Sequence, residues 1–178
     1  MASIPSKGFC IYLKRIRQEK RASQSLARTI GNYTCYLDGK ALTGLSGQLV
    51  ESPGPGSNKK KKVRIQAGSY PLAVQNGSHY ETFGWEKDHL LPALLLENTG
   101  EREGILIHPC HDHDAHYISS IGCLNPASGL VNAESGINLQ DSLERTLALI
   151  TALQKAFGKL PKDGTIPHAT IIIEGEPA

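Results

Sequence analysis

The sequence predicts a mainly β, α+β fold: a single domain (residues 1–178) built on one mixed sheet or sandwich, with one amphipathic helix near its carboxyl end. Short apolar segments separated by Gly, Pro and Asp-Gly turns dominate the first 126 residues, the pattern of strands and their connections. A single stretch, residues 139–157, carries apolar residues at helical spacing. Behind it, Ala169–Glu174 is β-branched and reads as a last, edge-like strand that joins the sheet.

Taken in order, residues 8–17 read as the first strand. The polar, basic residues 19–30 read as a loop or a short helix. Asn32–Leu37 is a strand, and Asp38-Gly39 a hairpin turn, because both residues tolerate positive φ. Ala41–Glu51 is then the returning strand. Ser52-Pro53-Gly54-Pro55-Gly56 ends it, and Lys59, Lys60, Lys61 and Lys62 repel one another, so 52–62 reads as an exposed loop tip. No aromatic residue is interleaved there to stack on bases, which argues against a nucleic-acid partner. Further strands are expected at 63–67, 69–75, 80–84, 93–97 and 104–108, completing a core at about 30–126. The polar-aromatic segment 77–89 holds the only tryptophan, Trp85, which could line a substrate groove. In 139–157 the apolar positions are 139, 143, 147, 150, 153 and 157. Asn138 or Asp141 could cap the start of this helix, and Gly158 stops it.

The chain has 178 residues, enough for one domain with a real core. A formal net charge of +2 is too small to imply a nucleic-acid or membrane partner. No apolar stretch approaches the ~20 residues that span a bilayer. The segment Met1–Lys7 lacks the basic-then-apolar pattern of a cleavable signal peptide, so the reading is synthesis in the cytoplasm. None of the four cysteines, Cys10, Cys35, Cys110 and Cys123, forms a C-x-x-C pair. Cys10 and Cys35 sit in strand-like apolar surroundings and read as small buried hydrophobes.

The chemistry concentrates in two segments. The apolar run 104–107 ends in His108, and Ser119-Ser120-Ile121-Gly122-Cys123-Leu124-Asn125 follows a loop later. A strand ending in His, then a loop, then Gly-Cys can bring an imidazole beside a thiol, the minimum apparatus of a cysteine nucleophile. Cys123 would be the nucleophile and His108 its base. Ser120 or a loop backbone carbonyl would orient the imidazole. Gly122 would leave room for a substrate carbonyl to reach the peptide N–H groups that serve as oxyanion donors. Arg102 could anchor a substrate carboxylate or be a solvent-facing turn residue. Asn125 could contact substrate or close the loop on its own backbone.

These residues resemble the catalytic signature of the L,D-transpeptidases, in which a strand-end His is followed by Ser/Thr-His-Gly-Cys-x-Asn/Arg. Val63–Leu72 is similar to the I-P-x-G-x-Y/F strand that precedes the catalytic region there. The order from Leu91–Asn98 through Gly104–His108 to Gly122-Cys123 resembles the small DUF5675 family more closely. The resemblance covers roughly residues 40–126. It departs at Ile121, where a His is usual, at Gln66, which replaces Pro, and in a shorter His-to-Cys loop. It implies an L,D-transpeptidase-like fold and cysteine-dependent acyl transfer on peptidoglycan stem peptides, as transpeptidase, carboxypeptidase or endopeptidase, with no cofactor. It also implies a phage or secretion-apparatus setting. A wall-directed effector without a signal would act in the periplasm or cell wall after delivery by such a machine, and would need an immunity partner in its producer.

Two other readings stay open. His108, His111, His113 and His116, with Cys110 nearby, offer metal-ligand chemistry, although their spacing matches no familiar motif. Alternatively the domain is a non-catalytic binding or accessory module of a phage or secretion apparatus. Cys110 shares the loop with Cys123 and could form a disulfide that silences it.

Overall fold

The computed structural model describes residues 3–22, 25–87, 89–111, 117, 118 and 120–177. The strands are β1 (Phe9–Lys20), β2 (Ala27–Leu37), β3 (Lys40–Glu51), β4 (Gly68–Val74), β5 (Tyr80–Glu81), β6 (Leu91–Pro92), β7 (Leu94–Leu96), β8 (Leu106–Ile107) and β9 (Asn125–Ala127). They are followed by the helix α1 (Leu139–Phe157) and by β10 (Gly164–Glu174). The domain is β-rich, as its sequence predicts.

Eight strands form one sheet in the order β8-β7-β4-β10-β1-β2-β3-β9. It is mixed because β10 runs parallel to β1, and α1 supplies part of the long crossover into β10 that a parallel placement demands. The two ends of the sheet meet. Leu124, one residue before β9, bridges Ile107 of β8 in parallel, through Leu124 N–H to Leu106 C=O (2.8 Å) and His108 N–H to Leu124 C=O (3.1 Å). These two hydrogen bonds bring the sheet to near closure as a barrel, an arrangement that removes edges otherwise open to foreign strands.

Alternation sets the interior. Phe9, Ile11 and Leu13 of β1 point inward, as do Tyr33 and Cys35 of β2, Leu72 and Val74 of β4, and Ile171 and Ile173 of β10. Leu149, Ile150 and Leu153 of α1 pack on the same cluster. A second, smaller cluster lies on the outer face of the sheet. There Ile30, Val50 and Ala127 are covered by Cys110, Leu130 and Ile137.

The helix occupies the span its periodicity predicts. The Asn138 side chain accepts from the Asp141 N–H at 2.8 Å, and Gly158 ends it at φ 70°. Its fully buried stripe is Ser142, Thr146, Leu149, Ile150 and Leu153, so Leu143 and Leu147 lie only half-buried at its margin. Thr146 and Ser142 enter the core because their hydroxyls are bonded, to Ser142 C=O and by Cys110 N–H respectively.

Several sequence expectations are corrected. Residues 19–20 and 27–30 are strand, not loop or helix: β1 runs to Lys20 and β2 starts at Ala27, with the connection confined to the residues between. Their charges do not oppose strand pairing, because Glu19 and Arg28 are cross-strand partners joined by an ion pair of 2.6 Å. Residues 63–67 are irregular, held by Arg64 N–H to Pro53 C=O and Ser57 N–H to Arg64 C=O. The strands expected at 80–84 and 104–108 shrink to Tyr80–Glu81 and Leu106–Ile107. Strand β9 has no sequence signature, since Asn125-Pro126-Ala127 has little strand character of its own. β10 is no edge. It begins at Gly164 and lies between β4 and β1, which suits its continuous β-branched run. Among the described residues no helix is long and apolar enough to cross a membrane.

Candidate active site at the barrel seam

The seam places His108 and Cys123. Leu124 and Ile107 point into the barrel core, so their neighbours Cys123, Asn125 and His108 face outward on the same side of the two paired segments. A cavity of about 770 Å³ on this side is lined by both His108 and Cys123, together with Tyr80, His111, Ser120, Ile121, Leu26 and Lys62. A smaller groove elsewhere, of about 510 Å³, over Asn32–Thr34 and Ser128–Val131, holds neither thiol nor imidazole.

His108 is buried. Its Nδ1 lies 2.7 Å from the Pro109 carbonyl, which can only accept, so Nδ1 carries the hydrogen and Nε2 the lone pair. The Tyr80 ring packs 4.5 Å from the imidazole, centroid to centroid. Burial pushes the imidazole down to about 4; the Pro109 carbonyl opposes this and His111 adds to it. His108 is therefore neutral at pH 7.

Cys123 is partly exposed. Its Sγ accepts from Leu106 N–H at 3.3 Å and donates to the Gly104 carbonyl at 3.5 Å. Burial of the sulfur pushes the thiol up, against the Leu106 N–H and the Arg102 charge, which favour the thiolate. Thiol and imidazole are thus both neutral at rest, and no hydrogen bond joins them among the described residues. The parallel register explains the gap. His108 stands opposite Asn125 and Cys123 opposite Leu106, so imidazole and sulfur are diagonal neighbours. Neither the Gly122 nor the Cys123 N–H donates to another group among the described residues, which leaves both beside the sulfur as candidate oxyanion donors.

The other expected residues fall out differently. Ser120 does not orient His108: its hydroxyl donates to the Cys123 carbonyl at 2.9 Å and tightens the 120–123 turn. The imidazole is oriented by a backbone carbonyl instead, that of Pro109. Asn125 is fully buried behind His108, where its Nδ2 donates to the His108 carbonyl at 3.0 Å, so it holds the base and does not reach a substrate. Trp85 lines neither cavity that contains Cys123, and the aromatic residue its loop delivers to the site is Tyr80. Tyr80 has no motif around it; only its packing on His108 at the seam selects it. His111 is exposed on the cavity wall, 3.3 Å from the Tyr80 hydroxyl through Nδ1. His113 and His116 lie outside the described residues. Among the described residues no three His, Cys, Asp or Glu side chains are gathered as a metal would require. Cys110 is buried in the outer cluster, away from both cavities that Cys123 lines.

Arg102 is not a solvent-facing turn residue. It is 5% exposed, and its Nη1 donates to the carbonyls of Ser57 (2.9 Å) and Val63 (3.0 Å). Gly122 is what admits it. A Cβ built on Gly122 would meet Arg102 Nη2 at 1.9 Å, and the residue's φ of 139° already disfavours any L side chain. The glycine before the cysteine therefore makes room for a guanidinium.

Tyr117 is held by two arginines. The Arg28 and Arg21 guanidinium carbons lie 4.1 and 4.6 Å from its ring centroid, and Arg28 Nη1 donates to its carbonyl at 3.1 Å. Compared with family models, with curated proteins and with solved structures, the chain matches none.

Proposed function

We propose that the chain is a cysteine-dependent acyl-transfer enzyme acting on bacterial peptidoglycan stem peptides, with Cys123 as nucleophile and His108 as base. The observation that carries the reading is the seam. The bridge between Ile107 and Leu124 sets thiol and imidazole on one cavity wall, with the His108 Nε2 lone pair uncommitted to the Pro109 carbonyl. In this scheme Nε2 takes the thiol proton as sulfur attacks the scissile carbonyl. The C–N bond breaks, the amine leaves with that proton, and a thioester forms. An incoming amine or water then attacks the thioester through the same base. The Gly122 and Cys123 N–H groups would stabilise the oxyanion. Because both partners rest neutral, proton transfer accompanies attack, and the two side chains must come together across the diagonal for it. Such catalytic contacts often tighten only when substrate is bound. The peptidoglycan assignment comes from the resemblance of 63–72, 91–108 and 122–125 to the L,D-transpeptidase and DUF5675 patterns. Delivery by a phage or secretion machine, with an immunity partner in the producer, is part of the same proposal.

The test is digestion of purified peptidoglycan, read by mass spectrometry, with wild type beside Cys123→Ala. A lost terminal D-residue, a new cross-link or a cleaved one, absent in the variant, is the expected result. Muropeptides left unchanged by folded wild-type protein would overturn the reading.

One observation favours a second reading, a binding module. Ile121 and Leu26, 73% and 45% exposed, sit on the rim of the cavity while Sγ is occupied by backbone groups. A protein partner would bury that apolar rim.

A further inference from the structure

The geometry points to a carboxylate-binding subsite beside Cys123, so that the group attacked by the sulfur carries a carboxylate close to the reacting carbon. The subsite rests on the reading of Cys123 as the attacking sulfur, but not on the identity of the substrate.

Cys123 lines a second cavity, of about 190 Å³, which His108 does not line. It is lined by Arg102, Lys61, Glu103, Gly104, Ile105, Ile121 and Gly122, of which Lys61 and Glu103 are both exposed, so the two cations outnumber the one carboxylate. Arg102 is a buried cation with no carboxylate within ion-pair distance among the described residues. Its Nη1 is spent on two neutral carbonyls, which fix the guanidinium without cancelling its charge. Nη2 lies under Gly122, directly before the nucleophile. A buried, uncompensated guanidinium is costly, and an anion that enters the cavity relieves that cost.

The lysine run supplies a second cation. The sequence presents Lys59–Lys62 as a solvated loop tip, yet the fold returns that loop to the site. Lys61 lines the small cavity and Lys62 the large one, while Lys59 turns away toward Glu101 at 3.9 Å. Cys123 thus sits where an apolar-rimmed cavity meets a cationic pocket. A planar guanidinium matches carboxylate better than an ammonium does.

Alkylation reads this without any turnover. Sulfur displaces iodide from iodoacetate or from iodoacetamide, forming an S–C bond, releasing iodide and giving the thiol proton to solvent or base. The two reagents differ in carboxylate against carboxamide. The ratio of iodoacetate to iodoacetamide rates at Cys123 is expected to exceed that of N-acetylcysteinamide by about tenfold, the worth of one charge-assisted hydrogen bond. Arg102→Gln should bring the ratio down to that of the small thiol. Lys61→Ala, at an exposed position that leaves the fold intact, should lower it several-fold with the iodoacetamide rate nearly unchanged, and 1 M salt should do the same. A ratio equal to that of the small thiol, or an elevated ratio that neither variant moves, would overturn the subsite. Peptidoglycan turnover is scored separately: an inert enzyme with the iodoacetate preference loses only the proposed reaction, and an active enzyme without it loses only the subsite.

Discussion

Across the seam that closes the barrel, His108 is paired with Asn125, whose carboxamide Nδ2 donates to the His108 carbonyl at 3.0 Å and lies 3.4 Å from the ring Nδ1. The relationship follows from register. With Ile107 bridged to Leu124 in parallel, the next residue on each segment must be 108 and 125. Asn125 Oδ1 is buried without a hydrogen-bond partner among the described residues, so this side chain is retained at some cost. Asn125→Ala should destabilise the fold by about 1–3 kcal/mol, since it leaves the His108 carbonyl one donor short. It should also move the ring-nitrogen NMR signals of His108, which a purely structural role would leave alone. Wild-type stability together with unmoved signals would remove Asn125 as a positioning residue.

Acid stability tests the burial of His108. Its folded value of about 4 lies below the 6.5 of an exposed histidine. Between these two values the unfolded chain binds more protons than the folded one. Stability is therefore intact above about pH 6.5, falls as pH drops, and levels below about 4. The loss attributable to this group is about 3 kcal/mol at pH 4. Urea unfolding of wild type and His108→Gln, compared at pH 7 and pH 4, should show a shallower pH dependence in the variant. Parallel curves would mean that the imidazole is not the neutral, buried group described.

The Tyr117 clamp has its own signature. Its ring is held by two guanidinium groups, while its hydroxyl is buried without a hydrogen-bond partner among the described residues. Tyr117→Phe should be neutral or mildly stabilising, since it removes only an unsatisfied polar atom. Tyr117→Ala should cost about 3 kcal/mol or more through lost packing and cation–π contact. It should also speed hydrogen exchange in the segment leading to Cys123. Equal stability of the two variants would show that the ring contributes nothing through its contacts with Arg21 and Arg28.

What the sequence determined by itself was local. The 3.6-residue period of 139–157 and the flanking Asn138 and Gly158 suffice to place α1, because capping and amphipathicity act within a few residues. Alternating apolar residues mark β1 to β4, and Asp38-Gly39 marks the first hairpin, with both residues at positive φ. The His-loop-Gly-Cys order singles out His108 and Cys123, and the fold places both on one cavity.

Only the tertiary structure decided the rest, since it depends on contacts between residues far apart in the chain. Glu19 and Arg28 look like loop residues until they pair across two strands, where each satisfies the charge that would otherwise bar it from a sheet. The two-residue β8 and three-residue β9 are too short to carry a period; each is a strand because the other strands bring the sheet's ends together. The same closure decided that His108 meets Asn125 directly and Cys123 only diagonally, that Tyr80 and not Trp85 covers the site, and that Gly122 serves Arg102. Even the lysine run changed meaning. Its charge is plain in the sequence, but an exposed loop tip becomes one wall of a cavity only when residues 52–62 fold back beside Cys123.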